Sequence, residues 1–407
     1  MRARANTNKF DINYLELLKL SIKDWSCLIN NATYLPLEVR TLSGTPSTVW
    51  RIEPHTQAKH EILGNYLKAW FPILSSWAGR IIYLDGFAGP GVYSGDEDGS
   101  PVIALQTVVE HKLRMRFKEI VFFFIEKDAK RAKMLTEVLE KRFPNLPKNI
   151  TYGVQGAEFA PTLEQVLGEL EKREAKLAPT LAFLDPFGFS GFPMKLIGRM
   201  MSYDSCEVLI TFMAGFVKRF LDELREPVLN ELFASEEWKQ ACNISDSDKR
   251  LRFLLDLYEK QLKSIGGARY VRSFGMIGPH NQLIYYLVFG TKHWKGLKVM
   301  KEAMWRVDRR GTYTFSDLTD IDQTYVIDYA AEPHWIPKAA EMVYSRFRGE
   351  LVAEDVVHQF VITDTPFIYR KSILEHLEKV SPPKILEVTE RKRKYSYPEG
   401  CVIRFCK

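Results

Sequence analysis

Ile81-Ile82-Tyr83-Leu84-Asp85-Gly86-Phe87-Ala88-Gly89-Pro90-Gly91 is the stretch that decides the fold. Its first residues are apolar and predict a buried strand, which ends on the acid Asp85. The glycines that follow predict a turn whose backbone can approach a ligand closely. In an open α/β sheet, ligands bind at the carboxyl ends of the strands. The stretch therefore predicts the first strand and the first ligand-contacting turn of an α/β domain.

Strand and helix patterns alternate on both sides of this turn. Helical spacing of apolar residues predicts a helix over 56–77, before the first strand. Apolar runs predict four further strands, over 120–125, 150–154, 180–184 and 207–213, with helices between the earlier ones. Two more runs, 270–277 and 283–289, flank Gly278-Pro279-His280-Asn281 and predict a hairpin. We therefore predict an α/β fold, a Rossmann-like sheet that is mostly parallel with an antiparallel edge hairpin.

Composition excludes several classes of protein. The chain has 407 residues, 46% of them hydrophobic and 27% charged, as in ordinary globular proteins. It contains no apolar run of 18 residues and no secretory signal pattern, so we expect a cytoplasmic protein without a membrane partner. Its net charge of +6 favours polyanion partners mildly. Five cysteines lie far apart, which predicts reduced thiols and no metal site: Cys27, Cys206, Cys242, Cys401 and Cys406.

The first two strand ends are suited to hold a nucleoside-amino acid cofactor. Asp-x-Phe-x-Gly-x-Gly resembles the pattern with which S-adenosylmethionine (SAM) methyltransferases hold their cofactor. Asp85 would accept from its ammonium group, and Glu126 after the second strand would accept both ribose hydroxyls. Gln155 and Glu158, after the third strand, are candidates to meet the adenine. The alternative is a tight turn with acids facing solvent. The predicted cofactor-binding residues are Asp85, Gly86, Phe87, Gly89, Gly91, Glu126 and Gln155.

An insertion follows the first turn. Ser100-Pro101 predicts a helix start with Ser100 as N-cap, which leaves residues 92–99 between the turn and the helix. Its acids Asp96, Glu97 and Asp98 are compatible with a hard-metal site, but a solvated loop is the favoured interpretation. A third interpretation is a flap over the cofactor.

The end of the fourth strand carries the catalytic candidates Asp185, Pro186, Phe187 and Phe189. Amino-directed methyltransferases often place Asp/Asn-Pro-Pro-Tyr/Phe there, and its acid and a carbonyl accept from the target amine while the aromatic stacks on a flipped base. Here Phe187 replaces the second proline and Gly188 stands where the aromatic belongs. The alternative is a strand-ending turn with both phenylalanines in the core.

The last seventy residues predict a winged-helix-like domain. Three helices fit this block, and a β-ribbon follows them with the run Arg391-Lys392-Arg393-Lys394 inside it. This run, with Arg370 and Lys371 on the expected recognition helix, is the candidate nucleic-acid surface. The alternatives are a protein-interaction module and a solvated charged face. The predicted domains are an extension over 1–50, a Rossmann-like SAM-binding domain over 51–330 and the winged-helix-like domain over 338–407.

Three basic residues precede the first strand. His55, Lys59 and His60 lie near the start of the first predicted helix. Lining the site is one interpretation for them, but we favour solvent-facing positions.

Together, these segments resemble the three-Cys-motif partner protein (TcmP) family. The matching motifs are His55-Thr56-Gln57-Ala58-Lys59-His60, the first turn, Asp98-Gly99-Ser100-Pro101, Phe124-Ile125-Glu126-Lys127-Asp128, Leu184-Asp185-Pro186-Phe187-Gly188 and Tyr286-Leu287-Val288-Phe289-Gly290-Thr291 with Gly296-Leu297-Lys298-Val299-Met300. The resemblance implies a bacterial protein that works beside a three-cysteine-motif partner similar to radical-SAM enzymes. The family's own reaction is not carried over.

Three functions remain open on the sequence. The leading hypothesis is a SAM-dependent methyltransferase-like protein acting on an amine of a nucleic-acid base. The alternative is a non-catalytic SAM- or nucleotide-binding protein that recruits or regulates another enzyme. A sequence-specific regulator is the least favoured, because most of the chain is the α/β domain.

Overall fold

A computed structural model describes residues 51–308, 312–318 and 334–407. Its centre is an eight-stranded sheet with the order β3-β2-β1-β4-β5-β7-β6-β8. The strands are β1 (Arg80–Asp85), β2 (Glu119–Ile125), β3 (Ile150–Gln155), β4 (Thr180–Leu184), β5 (Glu207–Phe212), β6 (Tyr270–Ile277), β7 (Leu283–Thr291) and β8 (Thr314–Ser316). Strands β1 to β5 are parallel, and β7 is antiparallel to both β5 and β6. The predicted Rossmann-like sheet, mostly parallel with an antiparallel hairpin beyond β5, is confirmed.

Helices cover both faces of this sheet. They are α1 (Pro54–Ser75), α2 (Ser100–Val109), α3 (Ala129–Arg142), α4 (Phe159–Lys172), α5 (Met194–Ser202), α6 (Ala214–Arg219), α7 (Glu226–Phe233), α8 (Ser247–Ser264) and α9 (Trp294–Val307). One hydrophobic core joins one face of the sheet to α1, α2, α3 and α9, and a second core joins the other face to α4 through α8. Because both faces are covered, every residue of β4 and β5 is buried, which explains why most of their residues are apolar.

The C-terminal block packs on the first of these cores. It contains α10 (Ile336–Phe347), β9 (Leu351–Ala353), α11 (Glu354–Asp364), α12 (Ser372–Lys379), β10 (Ile385–Val388) and β11 (Val402–Phe405), and its three strands form an antiparallel sheet in the order β10-β11-β9. Lys301 of α9 is fully buried and donates to the carbonyl oxygens of Val361, Ile362 and Thr365 at 2.8–3.3 Å. The Lys301 amine therefore binds carbonyls at the C-terminal end of α11, where a helix lacks further amide donors.

Several expectations differ from the structure or fall outside it. The extension over 1–50 and the boundary near 330 lie outside the described residues. The short strands β8 and β9 were not predicted, because three-residue strands carry too little pattern. The predicted N-cap is wrong: α2 begins at Ser100 with Gly99 as its N-cap, and the Ser100 hydroxyl donates to Asp85 instead. Within the described residues, no helix is long and apolar enough to cross a membrane.

Candidate functional site

The candidate site lies where the strand order reverses. Parallel strands β1 and β4 are neighbours in the sheet, although β2 and β3 lie between them in the chain. Such a switch point opens a crevice at the carboxyl ends of the strands, where ligands of α/β sheets bind. Asp85 is the last residue of β1, and Asp185 follows β4 directly. The topology therefore brings the predicted cofactor residues and the predicted catalytic residues to one crevice.

The first turn depends on glycine at two positions. Gly89 has φ +65° and Gly91 has φ +83°, a left-handed conformation that side chains disfavour. A Cβ at Gly91 would also lie 2.7 Å from Leu135, whereas one at Gly89 would meet nothing within 4 Å. Gly91 thus serves the packing of the turn on α3. Gly89 keeps open the space in front of the turn.

Glu126 fixes the turn from the neighbouring strand. Its carboxylate accepts from the backbone N–H of Gly89 at 2.8 Å and from that of Asp128 at 2.9 Å. The residue is only 7% exposed. Because a carboxylate offers about four acceptor positions, these two contacts leave capacity for two more donors. Glu126 is therefore compatible with the predicted role of accepting a pair of hydroxyls.

Asp85 lies behind the turn. It is fully buried, and its carboxylate accepts from the Ser100 hydroxyl at 2.7 Å and from the Phe87 N–H at 3.2 Å. Burial raises the pKa of Asp85 to about 7, although the two hydrogen bonds act in the opposite direction. Ser100 lines the cavity in front of the turn, and Asp85 does not. Asp85 therefore reaches a ligand through Ser100.

Asp185 is paired with a residue from the start of α1. Lys59 is 4% exposed, and its ammonium donates to Oδ2 of Asp185. Burial alone would raise the pKa of Asp185, but the Lys59 charge and hydrogen bond outweigh it and hold the pKa below its ordinary value. The Lys59 ammonium also lies 5.3 Å from the ring centre of Tyr285, over its face. Asp185 is thus kept ionised at the mouth of the crevice.

His60 stands beside this ion pair. It is 6% exposed, it lines the same cavity as Asp185, and its Nδ1 has no hydrogen-bond partner among the described residues. Burial lowers the pKa of His60 to about 3, with the Lys59 charge acting in the same direction. The imidazole is therefore neutral at ordinary pH and can accept a hydrogen bond at Nδ1.

The solvent-facing interpretation of His55, Lys59 and His60 is wrong. All three are buried, and His55 bridges the Asp317 carboxylate at 3.0 Å and the Glu53 carboxylate at 3.0 Å. One signal for this burial is present in the sequence: Lys59 and His60 are adjacent on a helix whose apolar residues pack on the sheet. Their burial depends on contacts with β4 and β7, which are distant in the chain.

The two phenylalanines after β4 differ in their exposure to solvent. Phe187 is 73% exposed and lines the cavity, with the Arg131 guanidinium 5.6 Å from its ring centre. Phe189 is half-buried and packs near Phe220, and Pro186 is buried. The alternative that places both phenylalanines in the core therefore does not hold for Phe187. Phe87, in the first turn, packs near Phe159 and Phe192.

The insertion over 92–99 closes the front of the crevice. Val92 and Asp98 form a β-bridge, and Arg142 lies 3.3 Å from Asp96 and 3.4 Å from Asp98. Tyr93 of the insertion lies 5.8 Å from the His60 ring. The cavity that remains between the insertion, His60, Ser100 and Asp185 measures about 40 Å³. Since small-molecule sites typically measure about 300–1,000 Å³, a cofactor needs the insertion to move.

The residues predicted to meet an adenine lie outside this cavity. The Gln155 carbonyl accepts from the Glu126 N–H at 3.0 Å, and its side chain is half-buried. Glu158 is exposed and pairs with Lys127 at 2.6 Å. In this closed conformation neither residue lines the cavity, and Glu126 borders it only through Gly89, from whose N–H it accepts.

The predicted nucleic-acid residues of the C-terminal block are not equivalent. Arg391 binds the buried carboxylate of Glu378 at 2.7 Å, and Arg370 lies 3.6 Å from Glu302 of α9. The Arg391 guanidinium therefore stabilises the C-terminal block itself, and the Arg370 guanidinium links this block to α9. The other four are exposed: Lys371, Lys392, Arg393 and Lys394.

Comparison with known proteins gives only distant similarity. No protein-family model matches the chain, and no curated protein matches it either. Trm1 from Pyrococcus horikoshii, solved with S-adenosyl-L-methionine, is similar at 10% identity and a TM-score of 0.36, over 65% of this chain and 62% of that one. The Legionella pneumophila protein LPL1258 is similar at 11% identity and a TM-score of 0.33, over 59% and 86%.

A third similar structure is the Podospora anserina methyltransferase PaMTH1 bound to SAH. It shows 11% identity and a TM-score of 0.26, over 72% of this chain and 100% of that one. The match to Trm1 spans less than two thirds of the Trm1 chain. Values this low assign neither activity nor substrate, which depend on the residues of the site.

Proposed function

We propose that this protein is a SAM-dependent methyltransferase that acts on an amine of a nucleic-acid base. One observation carries the proposal: an ionised carboxylate, Asp185, and a neutral imidazole, His60, line one cavity under a glycine-rich turn at the switch point of a methyltransferase-like sheet. A carboxylate and a neutral imidazole are both acceptors, as a target N–H group requires.

The cofactor half of the site fits SAM. Glu126 has free acceptor capacity for two ribose hydroxyls, and Ser100, held by Asp85, presents a hydroxyl oxygen toward the cavity. Gly89 leaves space where a side chain would obstruct the ligand. SAM would supply a methyl group on an already activated sulfonium, so the protein's part is mainly to position the acceptor.

The target half combines two acceptors and a ring. Asp185 would accept one N–H of the amine and direct the nitrogen lone pair toward the methyl group. Methylation would leave a positive charge on the nitrogen, which would then lose a proton to water, while neutral His60 would accept a hydrogen bond from the remaining N–H group. Phe187 is exposed at the cavity mouth and offers a face on which a flipped base can stack. Its position differs from that of the aromatic in the usual motif.

A second candidate function is a non-catalytic SAM- or nucleotide-binding protein that recruits or regulates another enzyme. It is favoured by the Lys59 ammonium, which already occupies one oxygen of Asp185. It is also favoured by the departure from the amino-methyltransferase motif at Phe187 and Gly188. The resemblance to the TcmP family supports a further element of the proposal, a three-cysteine-motif radical-SAM-like partner.

Calorimetric titration with SAM tests the cofactor half, and transfer of labelled methyl groups to pooled tRNA and single-stranded DNA tests the target half. We expect SAM binding in the wild type and methyl transfer that Asp185→Asn abolishes. Asp204→Asn, at an exposed aspartate, is the matched control and leaves both unchanged. Absence of SAM binding would sink the methyltransferase and the SAM-binding form of the second candidate function. Binding without transfer to either nucleic acid favours the second, and transfer that survives in Asp185→Asn contradicts the assignment of Asp185.

A further inference from the structure

A basic surface lies on the edge of the sheet opposite the candidate site. The turn over 112–118 connects α2 to the amino end of β2 and contains Lys112, Arg114, Arg116 and Lys118 in seven residues. The site lies at the carboxyl ends of the strands. Because β1 spans six residues at about 3.3 Å each, the two surfaces are about 17 Å apart or more. This basic turn is therefore separate from the site.

The four cations of the basic turn are exposed and unpaired. Within the described parts of the chain, none of them forms an ion pair, and the flanking acids Glu110 and Glu119 are engaged with Gln106 and Arg80. Many other basic side chains of the surface do have acidic partners: Arg142, Lys172, Arg199, Lys239 and Lys260. Four like charges without counterions favour a polyanionic ligand.

Exposed apolar side chains alternate with these cations. Leu113 is 40% and Met115 75% exposed within the turn. Trp77, in the loop before β1, is 62% exposed. This loop adjoins the turn, because the Lys118 N–H donates to the Ser75 hydroxyl at 2.7 Å and the Glu119 N–H donates to the Gly79 carbonyl at 3.2 Å. An exposed indole beside several cations is suited to stack on a base.

The turn is held in a defined shape. Arg114–Arg116 forms a single 3₁₀ turn, and the Asn149 side-chain amide donates to the carbonyls of Arg114 and Phe117, both at 3.1 Å. Phe117 is buried and anchors the end of the turn. Because the backbone is already ordered, binding costs little conformational entropy in the backbone.

We propose that the basic turn and Trp77 bind single-stranded nucleic acid, with phosphates on the four cations and a base on the indole. A membrane surface fits less well, since membrane-surface binding typically uses a helix with a continuous apolar face, and here a short turn carries isolated apolar residues. The two basic segments then differ in role, because no exposed tryptophan of the described residues accompanies the exposed cations of the 391–394 run.

Fluorescence anisotropy with a labelled 20-nucleotide oligo(U), measured without SAM, tests the proposal independently of any methyl transfer. We expect Arg114→Glu/Arg116→Glu to weaken binding at least thirtyfold and to reduce the slope of log affinity against log salt by about 1.4, at about 0.7 per phosphate contact. Trp77→Ala should weaken binding roughly tenfold with little change in that slope. The matched control, Lys392→Glu/Arg393→Glu, makes the same charge change at exposed residues and should weaken binding less than threefold.

Three results would overturn the proposal. The first is a control variant that loses as much affinity as Arg114→Glu/Arg116→Glu, which would transfer binding to the C-terminal block. The second is an unchanged affinity in both the double variant and Trp77→Ala. The third is co-sedimentation with phosphatidylserine vesicles, abolished by the double variant, in a protein that binds no oligonucleotide. Circular dichroism of each variant shows whether the fold is kept, as we expect for exposed substitutions.

Discussion

The two halves of the candidate site are built differently. At the ends of β1 and β2, the polar groups are held mainly by backbone amides no more than 37 residues away: Glu126 accepts from the amides of Gly89 and Asp128, and Asp85 accepts from the Phe87 amide and the Ser100 hydroxyl. At the end of β4, Asp185 is held by Lys59, which lies 126 residues away. The first half is set by backbone geometry and local hydrogen bonds. The second depends on the position of a whole helix, α1, against the sheet.

The two halves therefore differ in how their polar groups are bonded when no ligand is present. The glycine turn has its hydrogen bonds satisfied and leaves acceptor capacity on Glu126. The β4 end instead holds an ion pair whose carboxylate must share its oxygens with any target amine. Binding and catalysis can therefore be separated by substitution, and the following changes are ordered from the largest expected effect to the smallest.

The pH dependence of the unfolding free energy should reveal the raised pKa of Asp85. Its pKa of about 7 in the folded protein lies above the ordinary value of 3.8, so the folded state binds the proton more tightly. Stability from this group is then full below pH 4 and is lost as the pH rises toward 7, by roughly 4 kcal/mol in total. Asp85→Asn removes this titration. Its unfolding free energy relative to wild type should rise by that amount between pH 4 and pH 8, measured in urea.

Asp204→Asn serves as the control for this pH series, because it removes an exposed carboxylate. Its stability profile should run parallel to that of the wild type. If the Asp85→Asn profile also runs parallel, Asp85 has an ordinary pKa and the hydrogen bonds from Ser100 and Phe87 offset the effect of burial.

The Lys59–Asp185 pair should be strongly coupled. Lys59→Met leaves the Asp185 carboxylate without its cation, and Asp185→Asn leaves a buried ammonium unpaired. Each change should lower the unfolding free energy by about 2–3 kcal/mol at pH 7, somewhat below the usual 3–5 because the Asp185 side chain is 25% exposed. The double variant should lose less than the sum of both, as urea unfolding of the four proteins would show. Lys392→Met, at an exposed lysine, should change little. Additive losses would contradict the ion pair.

The sequence predicted the first half of the site better than the second for a physical reason. A strand, an acid and a glycine turn are local patterns, and the turn at Asp85 and Glu126 at the end of β2 lie where predicted. Lys59 and His60 were expected to face solvent, because nothing within α1 itself shows that β4 and β7 pack over its start. Ser100 was expected to cap α2, since a serine before a proline at a helix start usually does so; its hydroxyl instead meets Asp85. The parallel order of the strands followed from the alternation of strands and helices, but the short strands β8 and β9 did not.

Glu126→Gln should weaken SAM binding while it keeps the fold. The amide keeps one oxygen acceptor but replaces a charged acceptor by a neutral group, and one of its N–H donors must face a backbone amide. Since a hydrogen bond to a charged group contributes about 1.5–3 kcal/mol, we expect the Kd for SAM to rise at least tenfold in calorimetry. Glu158→Gln is the matched control, because Glu158 is exposed, pairs with Lys127 and forms no hydrogen bond or ion pair with the glycine turn. Equal effects of the two changes would show that the cofactor extends beyond β3 and is not centred on Glu126.

Phe187→Ala should have the smallest effect on stability and the clearest effect on the target half alone. The side chain is 73% exposed, so its removal should change the unfolding free energy by no more than about 0.5 kcal/mol. SAM affinity should stay within twofold, because the glycine turn and Glu126 are untouched. Methyl transfer to nucleic acid should fall roughly tenfold or more, as expected for the loss of a ring that stacks on a base. Phe216→Ala, at another exposed phenylalanine outside the cavity, should leave transfer unchanged. Unimpaired transfer in Phe187→Ala would instead assign the stacking role to a different ring, and a large loss of SAM affinity would place Phe187 with the cofactor.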